Sequence, residues 1–187
     1  ITKEFDNKEE FELNWVEASA HPIGAVGLWN SMIKIIKMAK EKGDDIIVIC
    51  EDDHYFTENY SPKLLFKEVT EAYIQGAEVL SGGIGGFGQA IPAGYHRYKV
   101  DWFWCTQFIV IYNRFFDKML DYSFQNTDTA DGVISKLATN IMVIYPFISE
   151  QKDFGYSDVT QSNMEQQGKI REHFARANKH MKSISLK

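Results

Sequence analysis

Short, mostly apolar runs alternate along this chain with longer segments that have the period of an amphipathic helix. Short strands that alternate with helices are typical of α/β folds with a largely parallel sheet. Gly43 after a lysine-rich segment is a helix stop signal, and Ser61 before Pro62 is a helix start signal. The unbroken apolar run Ile46–Cys50 is predicted to be a strand buried on both faces.

The predicted elements form a single GT-A-like, Rossmann-like α/β domain over residues 1–187, in which helices flank a mostly parallel central sheet. The predicted strands are residues 11–18, 46–50, 77–81, 108–112 and 141–145. The predicted helices are residues 24–42 and 61–76, a short segment around Phe116 and Met119, residues 131–139, and a polar, basic tail at about residues 160–187.

Composition excludes several classes of protein. Of the 187 residues, 44% are hydrophobic and two are cysteines, which excludes a disordered chain and a disulfide scaffold. No apolar run approaches the ~20 residues of a membrane span. The acids Glu4, Asp6, Glu9 and Glu10 are incompatible with a signal peptide at the start of the sequence, so we expect a cytoplasmic protein.

The segment with the most specific chemistry is Glu51, Asp52 and Asp53, which directly follows a predicted strand. Strand side chains alternate, so Glu51 and Asp53 are expected on one side and Asp52 on the other. Two carboxylates at the carboxyl end of a strand suit Mn²⁺ or Mg²⁺, which prefer oxygen ligands and leave positions open for phosphates. The alternative interpretation is a solvated acidic loop.

Four further motifs accompany the acidic segment. They are residues 24–31, which contain Gly24, Gly27 and Ser31; residues 104–108; residues 131–134; and residues 146–160. In this order, from about residue 11 to residue 160, the motifs resemble those of glycosyltransferase family 25, the lipopolysaccharide-type and collagen-type galactosyltransferases of the GT-A fold. The family places a GxxGCxxSH motif one helix ahead of a strand that ends in Glu-Asp-Asp, and the interval here is similar.

The resemblance implies an inverting enzyme that moves a hexose, with galactose expected, from UDP-hexose to a glycan or lipid-linked acceptor. The bound metal would neutralise the leaving diphosphate. The implied site residues are Gly24, Gly27, Ser31 and Asp52 for the donor; Glu51, Asp53, Gln151 and Asp158 for the metal; Asp131 as the catalytic base; and Trp102, Trp104 and Gln107 for the acceptor.

The sequence also departs from the family pattern. Leu28 and Met32 stand where the family often has Cys and His, and Gly132 replaces a second acid. No segment matches the family's first strand, which helps to cradle the nucleotide base. The sequence therefore predicts that residues 1–5 replace this strand, that the chain is a piece of a longer protein, or that part of the donor pocket is lost.

Several site residues have a second interpretation. Asp131 suits the first turn of a helix, where the helix dipole favours an acid. Gln151 and Asp158 are also ordinary loop residues, and Trp102 and Trp104 are also typical core aromatics. The glycine-rich residues 81–88 lack the Lys-Ser/Thr of a P-loop, so they either let the backbone approach a sugar or form a mobile loop.

Charge is distributed unevenly between the tail and the rest of the chain. Residues 168–187 carry a net +5 and the others a net −11. The acidic body argues against a nucleic-acid partner, whereas the basic tail is either a solvated helix or a peripheral contact to an anionic membrane face or a phosphorylated acceptor. An uncovered edge strand would favour oligomers.

Two functions other than hexosyl transfer are also open. One is a truncated or non-catalytic GT-A-like binding or assembly module, which the missing first strand favours and the retained acids disfavour. The other is a metal-dependent phosphoesterase, which normally requires more His and Asp ligands than the sequence offers.

Overall fold

The structure, a computed structural model, describes residues 1–153 and 168–185. Five α-helices and eight strands lie within these residues, after a short 3₁₀ turn at Thr2–Phe5. The helices are α1 (Gly24–Lys42), α2 (Pro62–Ile74), α3 (Asn113–Leu120), α4 (Ala130–Leu137) and α5 (Lys169–Ser185). The strands are β1 (Ile46–Cys50), β2 (His54–Phe56), β3 (Val79–Ser81), β4 (Ala90–Pro92), β5 (Arg97–Val100), β6 (Phe108–Tyr112), β7 (Ile141–Ile144) and β8 (Ser149–Gln151).

The main sheet has six strands in the order β1-β6-β3-β7-β5-β4, and it is mostly antiparallel. Only β3 and β7 pair in parallel, whereas β6 is antiparallel to both β1 and β3. The prediction of a mostly parallel sheet was therefore wrong. The reason is the segment after β5: Val100 pairs with Ile141 at one end of the sheet, and residues 101–107 carry the chain to the other end, where Phe108 pairs with Cys50 and β6 begins.

Helices cover both faces of this sheet. Along β6, Phe108, Val110 and Tyr112 pack towards α2, while Ile109 and Ile111 pack towards α1, α3 and α4. All five residues of β6 are buried, because β6 is a central strand between two helical layers. An apolar run of this kind indicates burial on both faces but carries no information about strand direction.

The helix signals in the sequence are confirmed where they are local. The Ser61 hydroxyl accepts a hydrogen bond from Leu64 N at 3.2 Å, and Pro62 occupies the first helical position of α2. Gly43 follows α1 in the left-handed conformation, with a φ of 77° that favours glycine.

Other local predictions differ from the structure. Residues 11–18 are irregular instead of a strand, because they pair with no neighbouring strand. β1 is not buried on both faces: it is an edge strand in which only Ile49 is fully buried. The short strands β2, β4, β5 and β8 were not predicted, since three or four residues are too few for a clear alternation.

A two-stranded sheet of β2 and β8 lies beyond the carboxyl end of β1, with His54 paired to Gln151. Of the tail predicted at about residues 160–187, residues 169–185 form α5, and residues 160–167, 186 and 187 lie outside the described residues. α5 packs through Phe174, Ala177 and Met181, all of which are buried. Within residues 1–153 and 168–185, no helix is both long and apolar enough to cross a bilayer.

A buried ion pair joins α2 to β5. The side chains of Arg97 and Glu68 are both fully buried, and Arg97 Nη1 donates to the Glu68 carboxylate. Arg97 Nη2 also lies 3.3 Å from an oxygen of Glu71, which is 43% exposed. A buried charge without its partner is costly, so this pair fixes how α2 lies on the sheet.

Replacement of Arg97 by Met should lower the free energy of unfolding by about 3–5 kcal/mol, because the buried Glu68 carboxylate would lose its buried cation and keep only the half-exposed Lys67, whose Nζ lies 3.8 Å from Glu68 Oε1. Glu71→Gln is the matched control, and its cost should stay below about 1 kcal/mol since the Glu71 side chain is partly solvated. Urea unfolding measures both values. Equal losses in the two variants would contradict this assignment.

Candidate functional site

The acidic segment forms the turn that carries the chain from β1 into β2. Glu51 N donates to Gln107 O at 3.0 Å, so Glu51 continues the pairing with the segment that leads into β6. His54 N then donates to Glu51 O at 3.3 Å and closes the turn. Glu51 and Asp53 are half-buried, whereas Asp52 between them is exposed. We call residues 51–53 the acidic turn.

The carboxylate of Glu51 is held by Thr106, whose hydroxyl donates to Glu51 Oε1. Burial, and after it the nearby negative charge of Asp53, raise the pKa of Glu51 to about 7. The hydrogen bond from Thr106 acts in the opposite direction. Glu51 is therefore an acid whose charge the surrounding protein does not compensate.

Asp53 and Gln151 are in direct contact. Gln151 Nε2 donates to Asp53 Oδ2, and the neighbouring Lys152 N donates to Asp53 O at 2.7 Å. Burial raises the pKa of Asp53 to about 6, although the bond from Gln151 favours the charged form. Two of the residues predicted to hold a metal thus meet because β2 and β8 are paired.

A divalent cation fits these residues in part. The second oxygen of Asp53, Oδ1, is buried and accepts no hydrogen bond from the described residues. A cation would compensate both this oxygen and Glu51, and phosphate oxygens commonly complete such a site. Within the described ranges, no three His, Cys, Asp or Glu side chains come together as a complete metal site. Asp158, the other predicted ligand, lies outside the described residues.

Asp131 is anchored at the start of α4. Thr129 Oγ1 and Gly132 N donate to Asp131 Oδ1 at 2.6 and 2.8 Å, and Cys105 N donates to Oδ2 at 3.2 Å. Thr129 is also the N-cap of the helix, because its hydroxyl accepts from Gly132 N. The negative charge of Asp131 contributes to the raised pKa of Glu51, so the two acids interact electrostatically.

The link between Asp131 and Glu51 is the two-residue segment Cys105 and Thr106. Cys105 binds Asp131 through its backbone N–H, and Thr106 binds Glu51 through its hydroxyl. Cys105 has a φ of 77°, which is an uncommon backbone conformation for a residue with a side chain. The predictions gave no role to Thr106, and only knowledge of the antiparallel pairing of β1 with β6 could have placed it beside Glu51.

Trp102 and Trp104 form an aromatic surface, while Gln107 lies behind it. The two indole rings are 5.2 Å apart, and Trp104 is 46% exposed. Gln107 is buried, and its side-chain amide donates to Gly83 O at 3.0 Å and to Ser149 Oγ at 3.3 Å. Gln107 therefore stabilises the structure behind the indoles, and Trp104 is the exposed member of the predicted acceptor set, with Trp102 half-buried.

The glycine-rich residues 81–88 are packed closely against Ser149 and Trp104. A Cβ on Gly83 would lie 1.9 Å from Ser149 O, and a Cβ on Gly86 would lie 2.7 Å from the Trp104 ring. Gly85 N donates to Trp104 O at 2.9 Å, and Trp104 N donates to Gly86 O at 3.1 Å. The glycines thus allow close packing. The sequence had predicted instead that they let the backbone approach a sugar or form a mobile loop.

Gly24, Gly27 and Ser31 lie at the start of α1. Ser31 Oγ donates to Gly27 O at 2.9 Å and accepts from Ser19 N at 2.8 Å. A Cβ on Gly27 would lie 2.6 Å from Ser19 O. These residues fasten the preceding coil to α1, and among the described residues no hydrogen bond joins them to the acidic turn.

Comparison with protein-family models and with curated protein sequences finds no match. Among solved structures, the chain is similar to an apo UDP-glucose pyrophosphorylase, with 10% sequence identity and a TM-score of 0.46. The match covers 82% of this chain and 61% of that protein, so the chain spans less than two thirds of its length. Similarity at this level assigns neither a family nor an activity, and the resemblance to family 25 rests on the sequence motifs alone.

Glu51→Gln should stabilise the metal-free protein near neutral pH. The pKa of Glu51 is about 7 in the folded protein against an ordinary 4.5. The unfolded chain therefore loses this proton first, and stability falls as the pH rises through that interval. The variant should gain at most about 3 kcal/mol above pH 7 and show a flatter pH profile.

Urea unfolding in EDTA across this pH range measures the effect. Glu58→Gln, which removes an exposed acid after β2, is the control and should leave the profile of the wild type unchanged. Superimposable profiles for Glu51→Gln and the wild type would show that Glu51 is not electrostatically strained.

Proposed function

We propose that this chain is a metal-assisted hexosyltransferase that uses a nucleotide sugar, with UDP-galactose the expected donor. The observation that carries the proposal is the buried, unpartnered Asp53 Oδ1 beside the uncompensated Glu51. Two such carboxylates destabilise a fold unless a ligand compensates them, and perturbed acids are concentrated at functional sites. The order of the family 25 motifs supports the same conclusion.

The roles of the acidic turn follow from its contacts. Asp53 and Glu51 would hold Mn²⁺ or Mg²⁺. Gln151 donates to Asp53 Oδ2, so Oδ1 is the Asp53 oxygen that would bind the metal. The bound metal would act as a Lewis acid that neutralises the negative charge on the leaving diphosphate. Asp52 is exposed and would contact the donor. Gly24, Gly27, Ser31 and Asp158 remain predicted donor and metal residues.

Asp131 is the proposed base. The three hydrogen bonds that it accepts keep its carboxylate oriented, and Oδ2 accepts only one of them, which leaves that oxygen available to the acceptor hydroxyl. Asp131 would take the proton of the acceptor hydroxyl as that oxygen bonds to the anomeric carbon. The bond from the anomeric carbon to the diphosphate breaks at the same time, and the configuration is inverted. Trp102 and Trp104 offer indole faces on which an acceptor sugar can stack.

UDP should bind only when Mn²⁺ is present, and Asp53→Asn should weaken binding by at least about tenfold because it removes a metal ligand. Isothermal calorimetry on the wild type and the variant, with Mn²⁺ or with EDTA, measures this. Asp44→Asn is a matched control, since Asp44 is an exposed acid at the other end of β1. Failure of the folded wild type to bind UDP, or equal binding by Asp53→Asn, would refute the UDP donor site.

Asp131→Asn should lower the rate of UDP release from UDP-galactose by about 10²–10⁴-fold, the usual contribution of a general base, and leave the affinity for UDP unchanged. Asp121→Asn, an exposed acid after α3, is the control and should keep the wild-type rate. Wild-type turnover by Asp131→Asn would exclude this base. Binding of UDP without turnover by the wild type would instead favour the non-catalytic module.

A further inference from the structure

We infer that the exposed face of α5 docks onto an anionic phospholipid surface. This helix carries five basic side chains and a single acid, a net +4, whereas the remainder of the 187-residue chain carries a net −10. An anionic bilayer would attract α5 and repel the body of the protein, so the charge distribution also fixes the orientation of docking. The inference does not depend on the proposed function, because it uses only the charge and position of α5 and the exposed ring of the neighbouring Trp104.

The basic side chains are on the solvent side of the helix. Phe174, Ala177 and Met181 are buried against the sheet, whereas Arg171, Arg176, Lys179 and Lys182 are exposed. With the rise of an α-helix, the 17 residues of α5 form a cylinder about 25 Å long. The positive charge is therefore spread along an elongated face, which matches an extended surface better than a single phosphate group.

Stabilisation of the helix itself does not explain this pattern. Lys182 in the last turn interacts favourably with the helix dipole, but Arg171 near the first turn interacts unfavourably with it. Arg171, Arg176, Lys179 and Lys182 form no ion pair with any residue that the structure describes. Neither the helix dipole nor the ion pairs within residues 1–153 and 168–185 involve all of these basic residues, which suits contact with an anionic partner.

Trp104 lies beside α5 and adds an interfacial side chain. Its ring centroid is 5.5 Å from that of His173, and Arg176 follows His173 by one helical turn on the same flank. Half-exposed indoles are favoured at the level of lipid headgroups. α5 also contacts β8, whose Gln151 holds Asp53, so a docked α5 would keep the candidate site close to the lipid surface.

Vesicle co-sedimentation tests the inference. The wild type should bind vesicles of phosphatidylcholine with about 30% phosphatidylglycerol at about 0.1 M salt, and it should not bind vesicles of phosphatidylcholine alone. Lys179→Glu with Lys182→Glu should weaken binding by at least about tenfold. Lys63→Glu with Lys99→Glu is the matched control: it changes the net charge equally, but on the α2 side of the sheet, and should have little effect.

Several outcomes would overturn the inference. The first is the absence of wild-type binding to the anionic vesicles, and the second is an equal loss of vesicle binding in the two double variants. The third is displacement of the protein from the vesicles by inorganic phosphate at constant ionic strength, which would indicate a site for a single anion. Unchanged UDP titrations and circular dichroism in Lys179→Glu with Lys182→Glu would show that any loss of vesicle binding reflects neither misfolding nor damage to the donor site.

Discussion

The contact between Gly83 and Ser149 determines how the parts of the candidate site come together. The carbonyl oxygen of Ser149 occupies the space that a side chain on residue 83 would need. This closeness allows Ile148 N and Ser149 N to donate to Gly82 O at 2.8 and 3.1 Å, so the chain crosses directly over the end of β3. β8 therefore lies beside β2, which brings Gln151 to Asp53. Glycine at position 83 is a requirement of this crossing.

The same crossing is reinforced by polar groups from distant parts of the sequence. Ser149 Oγ is 2.8 Å from His54 Nδ1 and also accepts from Gln107, while Gln107 donates in addition to Gly83 O. These side chains are all buried. A hydrogen bond is strong in such surroundings, and its loss leaves a buried polar group without a partner. These buried groups are thus held together by hydrogen bonds, whereas Asp53 Oδ1 in the acidic turn accepts none from the described residues.

The sequence was sufficient to predict features that depend on neighbouring residues. The bounds of α1 and β1 were predicted as the structure has them, and Ser61 and Gly43 act as the expected caps, because caps and periodicity are set within one or two helical turns. The pairing of Glu51 with Thr106 spans 55 residues and that of Asp53 with Gln151 spans 98. Such contacts require the strand order and directions, which no local pattern contains.

Because β1 is an edge strand, a further strand could pair with its outer side. Asn113 N donates to Asp45 O, and Glu51 N donates to Gln107 O. Within residues 45–51, the backbone hydrogen bonds towards β6 are therefore made by the odd-numbered residues. The backbone groups of Ile46, Val48 and Cys50 consequently point away from β6, and no strand within the described residues pairs with them. Any strand added at this edge would extend the sheet alongside the acidic turn and enlarge the walls of the site. The acidic turn therefore lies beside an edge of the sheet at which a seventh strand could change the shape of the candidate site.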